Sequence, residues 1–436
     1  MEKHVKLHTK IALGLVLGAF VGGLGNAFFG GAPWLDWISN NVAYPVGQVF
    51  LRMLFMTVVP IVFTSIALGV AGIGDIGTLG RLGGRTMGFF ALSTLIAATI
   101  GLTLVNTIRP GGGLPAETRD ALMDQFASDD LVVGGPSEFG IGTFVEIVPR
   151  NPVFAAADTD MLALIFFSLI FGVALMMIPK EKAQPVLDVL DGIGEAIIKI
   201  IDMAMALAPY GVFGLIFVIT SQFGWAILGQ LSMYVIVVLL GLLLHAIFGV
   251  SALVRVFGKM NPIRFWKSIE PPIITAFSTS SSMATLPTSI ATAEKELDVQ
   301  PKIAGFVLPL GATMNMNGTA LFEGVTVLFV AQVFGVGLGL GSQILVIALA
   351  VITAIGAAGV PGGSLPLMML VMATVGVPPE GIAIILGVDR ILDMSRTTLN
   401  VCGDLAASVY VDRVDREMQG AAVASRGITA TATSGD

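Results

Sequence analysis

An all-α membrane protein with about eight transmembrane helices and two re-entrant helical hairpins is the fold class that the sequence predicts. Three observations predict it: an apolar composition, two apolar regions interrupted near their middle, and a polar stripe inside the last apolar region. Of the 436 residues, 55% are hydrophobic and 12% are charged, and the mean hydropathy is +0.89. Ordinary soluble domains contain roughly 25% charged residues, so we expect this chain to cross a membrane several times.

The composition also excludes several classes of protein. A single cysteine, Cys402, excludes an internal disulfide bond and a thiolate metal cluster. No P-loop pattern is present, so the sequence does not indicate ATP use. The net charge of -7 is spread over loops and a few apolar segments and does not indicate a nucleic-acid partner. We therefore expect neither an enzyme nor an organic cofactor.

Six continuous apolar segments precede residue 260. The first follows a basic N-terminus, as in a signal peptide, but no small-residue cleavage site is clear and a retained span is favoured. The predicted spans are 11–31, 44–72, 86–108, 161–178, 190–219 and 225–254.

Lysines and arginines set the predicted orientation, because cytoplasmic loops carry an excess of them. If each span crosses once, the basic residues beside the spans fall on one side: Lys3, Lys6, Lys10, Arg81, Arg85, Lys180, Lys182, Arg255, Lys259, Arg264 and Lys267. Both termini are therefore expected to be cytoplasmic, in a multi-pass protein of a cell inner (plasma) membrane. The acidic segment from about 109 to 160 is expected outside.

Two apolar regions after residue 260, Ile273–Ala293 and Val351–Val377, are broken by small polar residues and proline. Each has two arms too short to cross a bilayer alone, so each predicts a re-entrant hairpin whose tip lies inside protein or beside a wet cavity. A helix with polar residues at mid-depth follows each hairpin. Hairpin plus helix, twice, predicts an inverted repeat, and interrupted segments in corresponding positions indicate a transporter's substrate site.

The last apolar region carries a polar stripe on one face of a helix with about 100° per residue. Its members are Asp389, Asp393, Arg396, Thr397, Asn400 and Asp404. A charge at bilayer depth costs at least about 2.5 kcal/mol, so the stripe needs compensation. Internal ion pairing, of Arg396 with Asp393 or Asp389 and of Arg390 with Asp389, is one explanation. It leaves Asp404 without a cation, which a bound metal ion would supply.

Two other clusters are expected to face the stripe. The serines at the first hairpin tip, 280–282, offer hydroxyls and free backbone N–H groups that attract a carboxylate, unless they form only a polar turn. Asn315, Asn317 and Thr319 interrupt the seventh span, and Gly318 permits an unwound backbone whose carbonyls can hold a hard cation. A bent helix with satisfied amides is the alternative there.

Four ordered motifs resemble the glutamate transporter homologue family of dicarboxylate/amino acid:cation symporters. They are TSSSMATLP, PLGATMNMNGTALFEG, AAGVPGGS and ILDMSRTTLNVCGD, within about residues 273–413. The resemblance implies a homotrimer in the lipid bilayer that works as an elevator, with a fixed scaffold and a moving transport domain. It divides the chain into scaffold helices 1 and 2 (1–82), helix 3 of the transport domain (83–110), an extracellular loop (111–160), scaffold helices 4 and 5 (161–222), the rest of the transport domain with helix 6, hairpin 1, helix 7, hairpin 2 and helix 8 (223–413), and a disordered cytoplasmic tail (414–436).

The same resemblance assigns a substrate site. Arg396 would hold the side-chain carboxylate of aspartate or glutamate, bidentate and always charged, and Asp393 would hold the ammonium. Similar carriers of neutral amino acids lack the arginine, and those of C4-dicarboxylates lack the aspartate. The segment 359–363 would form an outer gate. The implied substrate-binding residues are Ser280, Ser281, Ser282, Thr319, Val360, Gly363, Asp393, Arg396, Thr397 and Asn400.

Sodium ions are the only bound ions that the resemblance implies, at two sites. The first would use Gly311, Asn315, Asn400 and Asp404. The second would use Thr313, Met316, Ala354, Ile355 and Ala357, completed as the outer hairpin closes.

Two departures from the family pattern matter. Asn317 stands where the family motif usually has aspartate, and Phe90, Ser93 and Thr94 stand where a tyrosine and two hydroxyl residues help to form a third sodium site. Glu323 occupies the position of a glutamate linked to proton co-transport, and burial in an apolar span favours its protonated form. We therefore expect fewer sodium ions than the full set, with a proton contributing; a glutamate kept protonated only for packing is the alternative.

The expected function is uptake of aspartate or glutamate coupled to sodium and to a proton. A carrier of another small dicarboxylate or of a neutral amino acid is the alternative within this class. An intramembrane protease and a passive ion channel are alternatives from other classes. The three aspartates of the stripe share one helix, which argues against a protease dyad.

Overall fold

The structure, a computed structural model, describes residues 7–71, 80–115, 117, 148–158, 160–356 and 362–432. Within these ranges every regular element is helical, and the prediction of an all-α protein is confirmed. The α-helices are α1 Leu7–Phe29, α2 Pro33–Ile38, α3 Tyr44–Ala71, α4 Gly80–Ile108, α5 Pro152–Ala157, α6 Met161–Met177, α7 Lys180–Phe223, α8 Ala226–Leu244, α9 Ser251–Val256, α10 Pro262–Ser268, α11 Glu270–Thr279, α12 Ser282–Lys295, α13 Pro301–Met314, α14 Asn317–Phe334, α15 Leu340–Gly356, α16 Leu365–Thr374 and α17 Leu386–Ala432.

Apolar helices dominate the molecule because a backbone in lipid must satisfy its hydrogen bonds within its own segment. Within the described residues, six stretches are long and apolar enough to cross a membrane: Thr9–Phe29, Pro33–Ala71, Gly83–Ile108, Lys180–Phe223, Leu228–Val256 and Pro301–Phe334. Helix α6 and the two arms α15 and α16 are apolar but shorter. The chain is therefore a multi-pass membrane protein, while the total of eight spans stays a prediction.

Two helices are longer than the sequence analysis predicts. Helix α7 begins at Lys180 instead of residue 190, and it tolerates Pro185 near its start and Pro209 in its interior. Helix α17 continues to Ala432, so the predicted end of the last helix at residue 413 is too early and the expected disordered tail is helical up to that residue. The small, polar residues of this tail predict disorder, but it is also rich in alanine, which has the strongest helix propensity.

The first interrupted region forms two helices, α11 and α12, that pack on each other. Ser280 has a left-handed backbone (φ 52°, ψ 33°) and ends α11. Ser281 is extended, and its hydroxyl accepts a hydrogen bond from the Ala284 N–H at 3.2 Å, which caps the start of α12. The serine run thus breaks the helix where the sequence predicts the hairpin tip.

The second interrupted region also has two helical arms, α15 and α16, which contact each other. The residues between them, 357–361, lie outside the described residues. Gly362 follows with a positive φ of 75°, a conformation that glycine adopts without a steric penalty.

The helices pack in two groups. Helix α7 packs mainly on α1 and α3, and α3 also packs on α6. Helix α14 packs on α4, α15 and α17, and α17 also packs on α11 and α13. The first broken region and the polar stripe belong to the second group, so the candidate site lies inside it. The second broken region lies between the groups, because α15 packs on α14 and α4 while α16 packs mainly on α3.

Candidate functional site

The polar stripe of α17 is buried inside the protein. None of its six members, Asp389, Asp393, Arg396, Thr397, Asn400 and Asp404, is more than 5% exposed. Because such groups are costly to bury without partners, their contacts decide what the site can do.

Asp393 and Arg396 form the central ion pair. The Asp393 Oδ1 atom lies 3.0 Å from Arg396 Nη2 and 3.1 Å from Nε. Arg396 also lies over the ring of Phe322, with 4.7 Å between Cζ and the ring centroid. Its Nη1 atom is buried without a hydrogen-bond partner. The pair therefore leaves one side of the guanidinium free for a second acceptor.

Asp393 makes three further contacts. The Thr397 hydroxyl donates to Oδ1 at 3.5 Å. The Oδ2 atom of Asp393 accepts a hydrogen bond from the Gly362 N–H at 3.3 Å, which connects α17 to the end of the second hairpin turn. The same oxygen lies 3.6 Å from Arg390 Nη1. Arg390 thus pairs with Asp393, and its expected pairing with Asp389 is wrong. Asp389 keeps a buried Oδ1 atom without a partner.

Asn400 caps the start of α14. The backbone departs from helical geometry at Asn315 (φ -113°, ψ 85°) and Met316 (φ -112°, ψ 57°), so the first N–H groups of α14 lack intrahelical acceptors. Asn400 Oδ1 accepts from the N–H of Gly318 at 2.7 Å and of Thr319 at 3.3 Å. Its Nδ2 atom donates to Thr319 Oγ1 at 3.2 Å.

Gly318 is required by this close approach. A Cβ atom there would lie 2.5 Å from the carbonyl oxygen of Arg396. The broken segment can therefore press against the backbone of α17 only because the residue has no side chain.

A second polar cluster surrounds Asp404. Asn315 Nδ2 donates to Asp404 Oδ1 at 2.8 Å, while Asn315 Oδ1 is buried without a partner. A Cβ at Gly311 would lie 2.5 Å from Asp404 Oδ1, so the carboxylate touches the α13 backbone. No ion pair within the described residues involves Asp404. A buried carboxylate beside a free amide oxygen and a helix break provides the oxygen ligands that hard cations prefer.

In the described part of the chain, the residues predicted for the second sodium site are not joined by hydrogen bonds as those around Asp404 are. Met316 and Ala354 are buried, but Thr313 is exposed and its hydroxyl donates to Leu310 O at 3.0 Å on its own helix. Among the described residues no hydrogen bond joins these positions. Ile355 lies in the last turn of α15, and Ala357 lies outside the described residues.

The remaining predicted substrate residues lie at the two tips. Ser280, Ser281 and Ser282 are all buried, and the Ser280 hydroxyl has no partner. Gly363 is buried in the turn before α16, whereas Val360 lies outside the described residues.

Glu323 is fully buried in α14. Its Oε2 atom lies 2.8 Å from Thr353 Oγ1, and that hydroxyl also lies 2.8 Å from Leu349 O. One hydroxyl has a single proton to donate. If Thr353 donates it to Leu349 O, as threonines in helices commonly do, then Glu323 must supply the proton of its own contact. This geometry suits a protonated glutamate.

Two residues that contact the site were not predicted from the sequence. Phe322 and Thr353 resemble ordinary core residues of an apolar helix, so no pattern distinguishes them.

A sequence model of the sodium:dicarboxylate symporter family matches residues 7–414. The chain belongs to this family. The expected resemblance is confirmed, and membership of a family of symporters indicates a transporter.

Several family members of known function are similar over most of their length. The chain is 36% identical to a proton/sodium-glutamate symport protein of Bacillus caldotenax, covering 94% of this chain and 95% of that protein. It is 35% identical to a proton/glutamate-aspartate symporter of Escherichia coli, covering 86% of each. It is 30% identical to a C4-dicarboxylate transport protein of Rhizobium johnstonii, covering 97% and 91%.

Proposed function

We propose that this protein takes up an acidic amino acid, aspartate or glutamate, by symport with sodium and a proton. The buried Asp393–Arg396 pair supports this function most directly, because it offers one group for each charged end of such a substrate. The names of the bacterial glutamate symporters in the same family point to the same substrate class.

The substrate would bind by exchanging partners with the ion pair. Its side-chain carboxylate would take the free Nη1 side of Arg396, and its ammonium would take an oxygen of Asp393. A buried ion pair is stable only when each charge has a close counter-charge. The substrate would bring one ammonium and two carboxylates, so a bound cation is needed to balance the second carboxylate. The buried serines of the first hairpin tip and the α14 cap formed by Asn400 would complete the site.

A sodium ion would supply the missing positive charge at Asp404. The free oxygen of Asn315, the Asp404 carboxylate and backbone carbonyls near Gly311 are the ligands in reach. The second sodium set around Met316 would assemble only as the outer hairpin closes, since Thr313 is exposed here. Glu323 would carry the proton, in line with its contact with Thr353.

The two helix groups would be a scaffold and a moving transport domain. Helices α1, α3, α6 and α7 would form the scaffold, and the group built on α14 and α17 would move with the substrate as an elevator. The inverted repeat, the homotrimer and the cytoplasmic location of both termini belong to the same proposal. Its support is that the polar stripe and the first broken region lie within one packed group.

A carrier of C4-dicarboxylates is the second candidate, favoured by the Rhizobium relative. Asp393 argues against it, because a substrate without an ammonium would bring further carboxylates beside this carboxylate without a matching positive charge.

Substrate-induced thermal stabilisation in detergent tests the proposal. Aspartate, glutamate, succinate and serine are each added with sodium or with choline in its place. We expect stabilisation by aspartate or glutamate only with sodium. If succinate were the only one of the four ligands that stabilised the protein, the protein would be a carrier of C4-dicarboxylates. Stabilisation by aspartate without sodium would exclude sodium coupling.

A further inference from the structure

His245 is a fully buried imidazole outside the proposed substrate and sodium sites. It begins a π-helical turn, His245–Val250, that interrupts the span formed by α8 and α9. Single π-helical turns inside α-helices frequently occur at functional sites. Intramembrane ionisable residues also indicate function, since they are costly to bury.

Asn317 is the polar residue that His245 contacts. The Asn317 Nδ2 atom lies 3.0 Å from Ser93 Oγ and 3.4 Å from His245 Nε2. The other side of the amide, Oδ1, accepts from the Gly318 N–H at 2.8 Å. Flipping the amide would turn its NH2 group against this donor, so the orientation is set.

This orientation determines the state of the imidazole. With Asn317 donating toward Nε2, that nitrogen is the acceptor and the ring proton lies on Nδ1, which is buried without a hydrogen-bond partner. His245 is therefore neutral, and Ser93 and Asn317 are neutral as well. The three residues form a small uncharged network that joins α4, the π-helical turn and the start of α14.

The network also disfavours the binding of a cation between Ser93, His245 and Asn317. The N–H groups of Asn317 point into it, and its two facing acceptors are already engaged. Asn315, two residues earlier, has the opposite arrangement, with a free buried oxygen beside Asp404. Both amides pack against α17 at Gly403, where a Cβ would lie 2.5 Å from Asn317 Nδ2 and 2.8 Å from Asn315 Nδ2.

We propose that His245 is a positioning residue that fixes the broken segment between α13 and α14 without an ion. Through the Asn317 amide it stabilises the segment that carries Asn315 and the Asn400 contacts. It thereby limits the number of cations that substrate binding requires. This inference rests on the proposed cation-coupled symport.

Paired substitutions of His245 separate positioning from simple packing. The side-chain oxygen of glutamine can reach the place of Nε2, whereas that of asparagine reaches the place of Nδ1. We expect His245→Gln to bind aspartate within about threefold of the unchanged protein at fixed sodium, and His245→Asn to bind at least about tenfold more weakly, since it leaves Asn317 unsatisfied. Melting temperatures in the absence of substrate show whether both variants fold.

Asn317→Asp tests the exclusion of a cation. A carboxylate would point an acceptor at the Nε2 acceptor, so aspartate affinity should depend more steeply on sodium concentration. An unchanged sodium dependence in Asn317→Asp, or equal aspartate affinities for the folded Gln and Asn variants, would overturn the inference. If the unchanged protein binds aspartate without sodium, the proposed function fails instead, whatever the variants do.

Discussion

Helix α17 carries two polar stretches whose aspartates differ in how fully their oxygens are partnered. In the C-terminal stretch, Asp412 accepts from Gln300 N and Nε2, each at 2.9 Å, and from Arg416 Nε at 2.7 Å, while Asp415 pairs with Lys302 at 2.6 Å. In the stretch from 389 to 404, by contrast, Asp389 keeps a buried oxygen without a partner. Each stretch also contains an arginine with one buried, unpartnered nitrogen, Arg396 Nη1 and Arg413 Nε.

The difference separates a structural network from a binding site. The C-terminal stretch attaches α17 to neighbouring segments and uses up its acceptors in doing so. The membrane stretch has comparable charges in drier surroundings, where an unpartnered polar group costs more, and yet it remains incomplete. The incomplete groups therefore mark where ligands with matching charges would bind.

Removing one charged side chain from each stretch should give the largest difference in aspartate uptake between two variants. Arg396→Gln should lower the aspartate uptake rate in liposomes by at least about 100-fold, because it leaves buried Asp393 without its main partner. Arg416→Gln, the matched control, removes a pair whose arginine is half exposed and should change uptake by less than about twofold. If Arg396→Gln retained the aspartate affinity of the unchanged protein, the assigned role of the ion pair would be wrong.

Asp404→Asn tests the second incomplete group. Without the carboxylate, the half-saturating sodium concentration for aspartate binding should rise by at least about tenfold, since cation affinity follows ligand charge. A sodium titration monitored by aspartate-induced thermal shift measures this. If the variant had the same sodium dependence as the unchanged protein, Asp404 would not be a ligand of the cation.

Gly318→Ala examines the close packing that holds the broken segment. The added methyl would collide with the Arg396 carbonyl and should destabilise the protein by about 1–3 kcal/mol while weakening aspartate binding. Gly305→Ala, in α13 with open space around its Cβ, is the control and should leave both properties unchanged or slightly improved. Equal melting temperatures for the two variants would contradict the packing argument.

Glu323→Gln should alter how uptake depends on pH. If Glu323 carries the proton, acidification outside the liposome stimulates uptake by the unchanged protein, and the amide variant, which cannot bind a proton at this position, loses most of this stimulation. Glu380→Gln, another buried carboxyl, is the control. If the uptake rate of the unchanged protein depended on the sodium gradient and not on pH, no proton would be co-transported.

Asp412→Asn should have the smallest functional effect. It weakens hydrogen bonds of the completed stretch, so the melting temperature should fall by an amount corresponding to about 1–2 kcal/mol, with unchanged sodium and aspartate affinities. A marked loss of aspartate affinity would show that the two stretches are not independent.

Much of the architecture could be predicted because membrane burial constrains sequence strongly. Apolar runs gave most helices, and the helical period placed Asp393, Arg396 and Asn400 on one face. The family resemblance added roles to that face. Tertiary detail was not predictable: Arg390 pairs with Asp393 instead of Asp389, and Thr313 points outward, because such choices depend on neighbouring helices.

Other features had no local sequence signal. The contact between Glu323 and Thr353 joins two helices, and no pattern in the sequence of either helix predicts it. The network of Ser93, His245 and Asn317 joins three elements, so a lone histidine indicated only that some partner existed.

Helix α17 is unbroken from Leu386 to Ala432, unlike the α13–α14 run. At about 1.5 Å per residue it is a rod of about 70 Å, with the binding groups near one end. Because the helix is continuous, a shift of Arg396 along the helix axis would also displace Arg416. A fluorescent probe attached beyond Arg416 would test whether such a shift accompanies aspartate binding.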